Sequence, residues 1–144
     1  MTHADFAAVN VNFWVTPEDA NLDPASGGLV VYAVDAPLSW DFYTYNGRVD
    51  VINAFLQRQQ ARSITIPYRQ NRAIIFNSDL FHGTAAVHFR PGYENRRINI
   101  TMLYGDRADE VHHRQLSGPE AVSAATGSAP WRSAAFSRAR SGRR

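Results

Sequence analysis

Apolar and polar residues alternate over residues 8–15, with Val9, Val11, Phe13 and Val15 on one side and Asn10, Asn12 and Trp14 on the other. A period of two over that length predicts a β-strand. Residues 16–24 carry two prolines and four acids or amides and predict a loop. Gly27-Gly28 opens a second predicted strand, residues 29–34, apolar on both faces and so expected in the interior. After the turn signal Asn46-Gly47 the period changes. Val51, Ile52, Phe55 and Leu56 fall on one stripe of a helix, with Asp50 at its start and Arg58 towards its end, the polarity that suits the helix dipole. Residues 63–67, 72–76 and 98–104 are further predicted strands, and 85–89 a short additional one. Five or six short strands and one helix predict an all-β barrel or sandwich with minor α content.

The chain of 144 residues is 44% hydrophobic and 12% aromatic, enough apolar material for one packed domain. It contains no cysteine, which excludes disulfides, thiolate metal sites and thiol nucleophiles. It contains no lysine either: all fifteen basic residues are arginine, which excludes Schiff-base chemistry and the lysine of a P-loop. Chemistry must therefore come from His, Asp, Glu, Arg, hydroxyls or a bound metal.

Composition shifts near Gly118. Residues 118–144 are built of Ser, Ala, Gly and Arg without an apolar period and are expected to form a disordered tail, leaving residues 1–117 as the domain. The formal net charge of the whole chain is +2, but outside the tail ten arginines face twelve acids, a charge of about −2. The tail could touch nucleic acid or anionic lipid, or be no more than a solvated terminus; no specific nucleic-acid partner is expected. No apolar run is long enough to span a bilayer, and residues 1–5 lack the features of a secretory signal, so a cytoplasmic protein without a membrane partner is expected.

Of the five histidines, His3 stands two residues before Asp5. On an extended backbone these two side chains project to the same side and can converge on one ion. His82 follows the apolar strand 73–76 through Asn77-Ser78-Asp79, which places it at or just past a strand end. Two imidazoles and one carboxylate at one end of a β-barrel form a facial triad, able to hold Fe(II) with three positions open for a bidentate cosubstrate and dioxygen. A His-x-Asp sequence alone is equally compatible with an unstructured N-terminus. Arg96 and Arg97 open the strand ending at Tyr104, and its alternation puts Arg97, Asn99 and Thr101 on one face. A buried guanidinium needs an anionic partner and matches a carboxylate bidentately, and Asn99 could add a donor to it; the alternative is an exposed edge strand with a wetted polar face. His88 and the pair His112-His113 suit structural and surface-loop positions, Asp79 either orients His82 or caps its turn, and Trp40, Phe42, Tyr43 and Tyr45 suit either a lid or packing over the barrel.

His3-Ala4-Asp5, the segment V-N-V-N-F-W-V-T-P-E-D-A-N-L-D-P-A-S-G-G-L-V-V-Y, then N-R-A-I-I-F-N-S-D-L-F-H-G-T and R-R-I-N-I-T-M-L-Y-G, taken in that order over residues 3–105, resemble the Fe(II)/2-oxoglutarate dioxygenases, phytanoyl-CoA dioxygenase-like branch. The resemblance implies a double-stranded β-helix of the jelly-roll, cupin-like kind. It implies His3, Asp5 and His82 as iron ligands and Arg97 as the partner of the distal carboxylate of 2-oxoglutarate, with Arg96 as the alternative because a slip of one residue reverses the face. Asn99 matches a second polar contact, and Asn10, Asn12 and Trp14 match the cup wall. The implied activity is a hydroxylase that uses Fe(II), 2-oxoglutarate and O2 on an unidentified small molecule. In that family the barrel begins well before the His-x-Asp motif. Reached here at the third residue, the motif leads one to expect a barrel incomplete at its N-terminal side, and an open sheet edge through which copies could self-associate. The competing expectations are a truncated, inactive fragment and a cupin-like metal binder or isomerase without a cosubstrate.

Overall fold

The computed structural model describes residues 1–107; the expected boundary at Gly118, the Arg-rich segment after it, and His112 and His113 lie outside the described residues. Seven strands and two short helices follow one another: β1 (Thr2–His3), β2 (Val9–Trp14), β3 (Leu29–Asp35), α1 (Phe42–Gly47), α2 (Val49–Arg58), β4 (Ser63–Ile66), β5 (Ala73–Asn77), β6 (Leu80–Thr84) and β7 (Asn99–Tyr104). They form two antiparallel sheets, one in the order β1-β6-β3-β4 and one in the order β5-β2-β7. The fold is all-β with minor α content. No described helix is long and apolar enough to cross a membrane.

Three expectations change. Residues 85–89 do not form a strand; only Phe89 makes an isolated bridge, to Asn21, and His88 is exposed. His82 lies in the middle of a strand of its own, β6, because Asn77 Oδ1 accepts from the Asp79 N–H and makes the turn tight enough for the chain to resume pairing at Leu80. Residues 42–47, an aromatic loop on sequence grounds, form α1: Asp41 caps it by accepting from the Thr44 N–H at 2.7 Å.

The four-stranded sheet is covered on both faces. On one side Phe81, fully buried, joins Ala4, Ala36, Tyr45, Ile52 and Leu56 beneath the helices, with Trp40 and Phe55 packed against them. Burying a side chain of that size contributes about 1.5–3 kcal/mol. Trp40 and Tyr45 therefore pack on the helix side of the sheet, away from the face His82 occupies. On the other side Leu29 and Val31 meet Trp14 and Tyr68, with Ile74, Phe76 and Leu80 around them. β6 alternates between the two interiors, Phe81 towards the helices and His82 towards the second sheet.

Strand β2 buries its amide side and turns its valines outward. Asn10, Asn12 and Trp14 are buried, while Val9 is partly exposed and shares an outer face with Ile75, Ile100, Met102 and Tyr104, all exposed. Trp14 supplies the apolar burial on the inner face, stacked on Tyr68 with ring centroids 5.1 Å apart, and the amides there bond to one another.

Candidate metal centre

Residues 1–5 are held in place. Thr2 and His3 pair with Gly83 and His82. Ala4 is buried among the helix-side residues, its N–H bonded to the Tyr45 carbonyl and its carbonyl accepting from Asn46 Nδ2 at 2.9 Å each. The Asp5 N–H reaches the Ser78 carbonyl. With Ala4 pointing into the helix-side core, extended backbone sends its two neighbours, His3 and Asp5, to the opposite face, where His82 emerges from the adjacent strand.

The three side chains converge. His3 Nε2 lies 3.7 Å from Asp5 Oδ1, and His82 Nε2 lies 3.5 Å from Asp5 Oδ2. The imidazole centroids are 4.5 Å apart. One ligand atom from each residue lies within 4.8 Å of the others. Two atoms bound to one ion at about 2.1 Å each stand roughly 3–4 Å apart, so the 3.7 and 3.5 Å nitrogen–oxygen spacings fit a divalent metal. The donor set of two nitrogens and one oxygen suits Fe(II) and related ions. His82 Nδ1 is 2.9 Å from the Leu80 carbonyl, which can only accept; Nδ1 therefore carries a proton, and Nε2 is the nitrogen that faces the site. Phe76 packs its ring at 4.9 Å from the same imidazole and keeps it from turning.

The electrostatics of His3 and Asp5 favour their metal-binding forms. Burial, then the neighbouring His82, lowers the His3 pKa below its ordinary value, with Asp5 opposing. For Asp5, burial raises the pKa, but the hydrogen bond and charge of His82, the charge of His3 and the hydrogen bond from Asn10 outweigh it, and the net shift is downward.

Gly83 sets how closely β1 can approach. A Cβ there would stand 2.7 Å from the Met1 carbonyl oxygen and 3.4 Å from Thr2 Cα, both backbone atoms. Gly83→Ala is therefore expected to push β1 from β6 and carry His3 with it, lowering affinity for a divalent metal by at least about tenfold. A titration with Mn(II) on the folded variant checks this, and wild-type affinity would count against the role of the β1–β6 contact.

The triad opens into a cavity of about 220 Å³ whose walls include Asn10, Asn12, Leu29, Thr84, Asn99, Thr101 and Leu103. That is below the roughly 300–1,000 Å³ that holds a drug-sized ligand and suits a small molecule. Of the two candidate arginines, Arg96 is exposed and lies over Tyr93, with its guanidinium carbon 5.3 Å from the ring centroid. Arg97 is half-buried: its Nε donates to the Gly27 carbonyl, and its guanidinium lies over Trp14 and Tyr68, 5.6 and 6.0 Å from the centroids. Burial lowers its pKa, and no described acid lies within ion-pair distance of it. Arg97 lines a neighbouring concavity that also contains Arg96 and meets the triad cavity at Thr84. Asn99 faces the triad cavity, but its amide nitrogen is engaged with Asn12 Oδ1 at 2.5 Å and Thr101 Oγ1 at 2.7 Å, and its Oδ1 is a buried acceptor without a partner.

Asp79 does not orient His82. It pairs with Arg107, a residue with no local sequence signal, and the Leu80 carbonyl takes the orienting role. Tyr68 was also missed: its hydroxyl donates to the Thr16 carbonyl at 2.6 Å and its ring supports both Trp14 and Arg97. Compared with known proteins, the chain matches no family model, no curated protein and no solved structure.

Proposed function

We propose that the protein is an Fe(II)- and 2-oxoglutarate-dependent oxygenase acting on a small molecule. The observation that carries the proposal is the convergence of His3, Asp5 and His82 at the head of a polar cavity. His3, Asp5 and His82 hold the metal on one face and leave the cavity side open. Fe(II) bound there would supply oxidation of a C–H bond by O2, one oxygen atom going to the hydroxylated product and the other to succinate as 2-oxoglutarate loses CO2. Arg97, half-buried and without an acidic partner among the described residues, binds the distal carboxylate of the cosubstrate. Asn12, Asn99 and Thr101 form the polar wall of the cavity. Apart from β3 and β4, which pair in one sheet, successive strands switch sheets, β1, β3, β4 and β6 in one and β2, β5 and β7 in the other, and this supports a jelly roll of the double-stranded β-helix kind. A reducing, cytoplasmic location suits a metal that must stay ferrous.

Anaerobic titration of the protein with Fe(II), then with 2-oxoglutarate, tests the proposal. The expected result is tight Fe(II) binding followed by a visible charge-transfer band that saturates with 2-oxoglutarate. Arg97→Ala is expected to raise the concentration needed by about 10–100-fold, the worth of a charge-assisted bond. Fe(II) binding with no response to 2-oxoglutarate would leave a cupin-like metal binder; no Fe(II) binding would remove the metal centre itself.

A further inference from the structure

Behind Asp5 runs a row of buried amides. Asn10 Nδ2 donates to Asp5 Oδ2 at 2.5 Å, Asn12 Nδ2 donates to Asn10 Oδ1 at 2.6 Å, and Asn99 Nδ2 donates to Asn12 Oδ1 at 2.5 Å, with Thr101 Oγ1 adding a donor to the same oxygen at 3.2 Å. Asn10 is fully buried and Asn12 is 4% exposed. The direction of the row is dictated from its end. An ionised carboxylate only accepts, so Asn10 must offer its NH2 to Asp5 and its oxygen to Asn12. Asn12 must then offer its NH2 to Asn10, and its oxygen falls to Asn99 and Thr101, which must donate. Each amide is locked by the next, across β2 and onto β7. Burying such groups is costly unless all are paired, and an apolar inner face would cost less, so the row has to be explained by what it does for Asp5.

We infer that Asn10, braced by Asn12 and Asn99, is a positioning residue that fixes the turn of the Asp5 carboxylate through Oδ2 and so holds Asp5 to the metal through a single oxygen. A carboxylate can take an ion with one oxygen or with both. Without the donor from Asn10, Asp5 is free to turn and chelate through two oxygens, which removes one of the positions the cavity needs open. The inference rests on the metal centre proposed above and concerns how that centre is kept open.

Mn(II), whose bound waters can be counted by water-proton relaxation, is the probe for the full chain. Three protein ligands on an octahedral ion leave about three waters. Wild type is expected to show this number, and Asn10→Ala one water fewer, with metal affinity lower by about 10–100-fold. A merely structural role for Asn10 would lower the melting temperature of the metal-free protein and leave the water count unchanged. Asn12→Ala leaves Asn10 in place but frees its amide to turn, and serves if Asn10→Ala does not fold; it is expected to lose the same water with a smaller loss of affinity. A folded variant with the wild-type water count and an affinity within about twofold of wild type overturns the inference while leaving the metal centre standing. Failure of wild type to bind Mn(II) or Fe(II) overturns both.

Discussion

Replacing His82 with alanine is expected to lower affinity for a divalent metal by more than about a hundredfold, beyond the loss that removing a supporting group produces. The residue is buried, its ring is wedged by Phe76, and its Nδ1 is engaged with the Leu80 carbonyl, so the one nitrogen it offers the cavity is Nε2. No neighbour can substitute: the other face of β6 carries Phe81, and the next described histidine in the chain, His88, is exposed. The same variant is expected to release no succinate from 2-oxoglutarate. Calorimetry with Fe(II) under anaerobic conditions and a succinate assay measure the two effects, with His88→Ala as the control that retains both. Metal binding undiminished in a folded His82→Ala protein would sink the proposed centre.

Arg107→Ala is expected to cost about 3–5 kcal/mol of stability, the loss seen when one partner of a buried ion pair is removed. The Arg107 side chain is 8% exposed. Its Nε donates to Asp79, and its Nη2 donates to the carbonyls of Ala36 at 2.6 Å and Pro37 at 3.2 Å. It also lies 4.1 Å from the centroid of the Tyr45 ring. One side chain thus ties the chain just beyond β7 to the end of β3, to the β5–β6 turn and to α1. Truncation leaves a mostly buried carboxylate and a carbonyl without their donor. Arg107→Lys keeps the charge but not the planar fork, and is expected to recover only part of the loss. Urea unfolding of the metal-free protein checks both, and a loss below about 1 kcal/mol for the alanine variant would show the pair to be of the weak, surface kind.

The local parts of the structure were legible in the residue order. Alternation placed β2 and β7, short apolar runs between turn signals placed β3, β4 and β5, each within a residue or two, and the apolar stripe of Val51, Ile52, Phe55 and Leu56 placed α2, since these patterns are properties of neighbouring residues. The choice of His3, Asp5 and His82 also came from the sequence, through residue type, the i and i+2 relation, and the family resemblance. Strand β1 escaped notice because two residues carry no period; β6 did because the turn before it is tight and its glycine and histidine resemble a loop. Nothing local distinguished Arg96 from Arg97, since their faces depend on where β7 begins to pair. Asp79 and Arg107, 28 residues apart, met only through the packing of one sheet on the other.

The sequence by itself determined which side chains can do chemistry here, by offering no thiol and no lysine amine, and which segments are strands, by their alternation. Alternation by itself left open which side of β2 faces inward; tertiary structure turned its amides in, brought two imidazoles 79 positions apart to one carboxylate, and set a row of amides behind it. The physical reason is that periodicity divides a strand into two faces without saying which is buried. That is settled by what the opposing sheet presents, and here it presents an anion that requires donors.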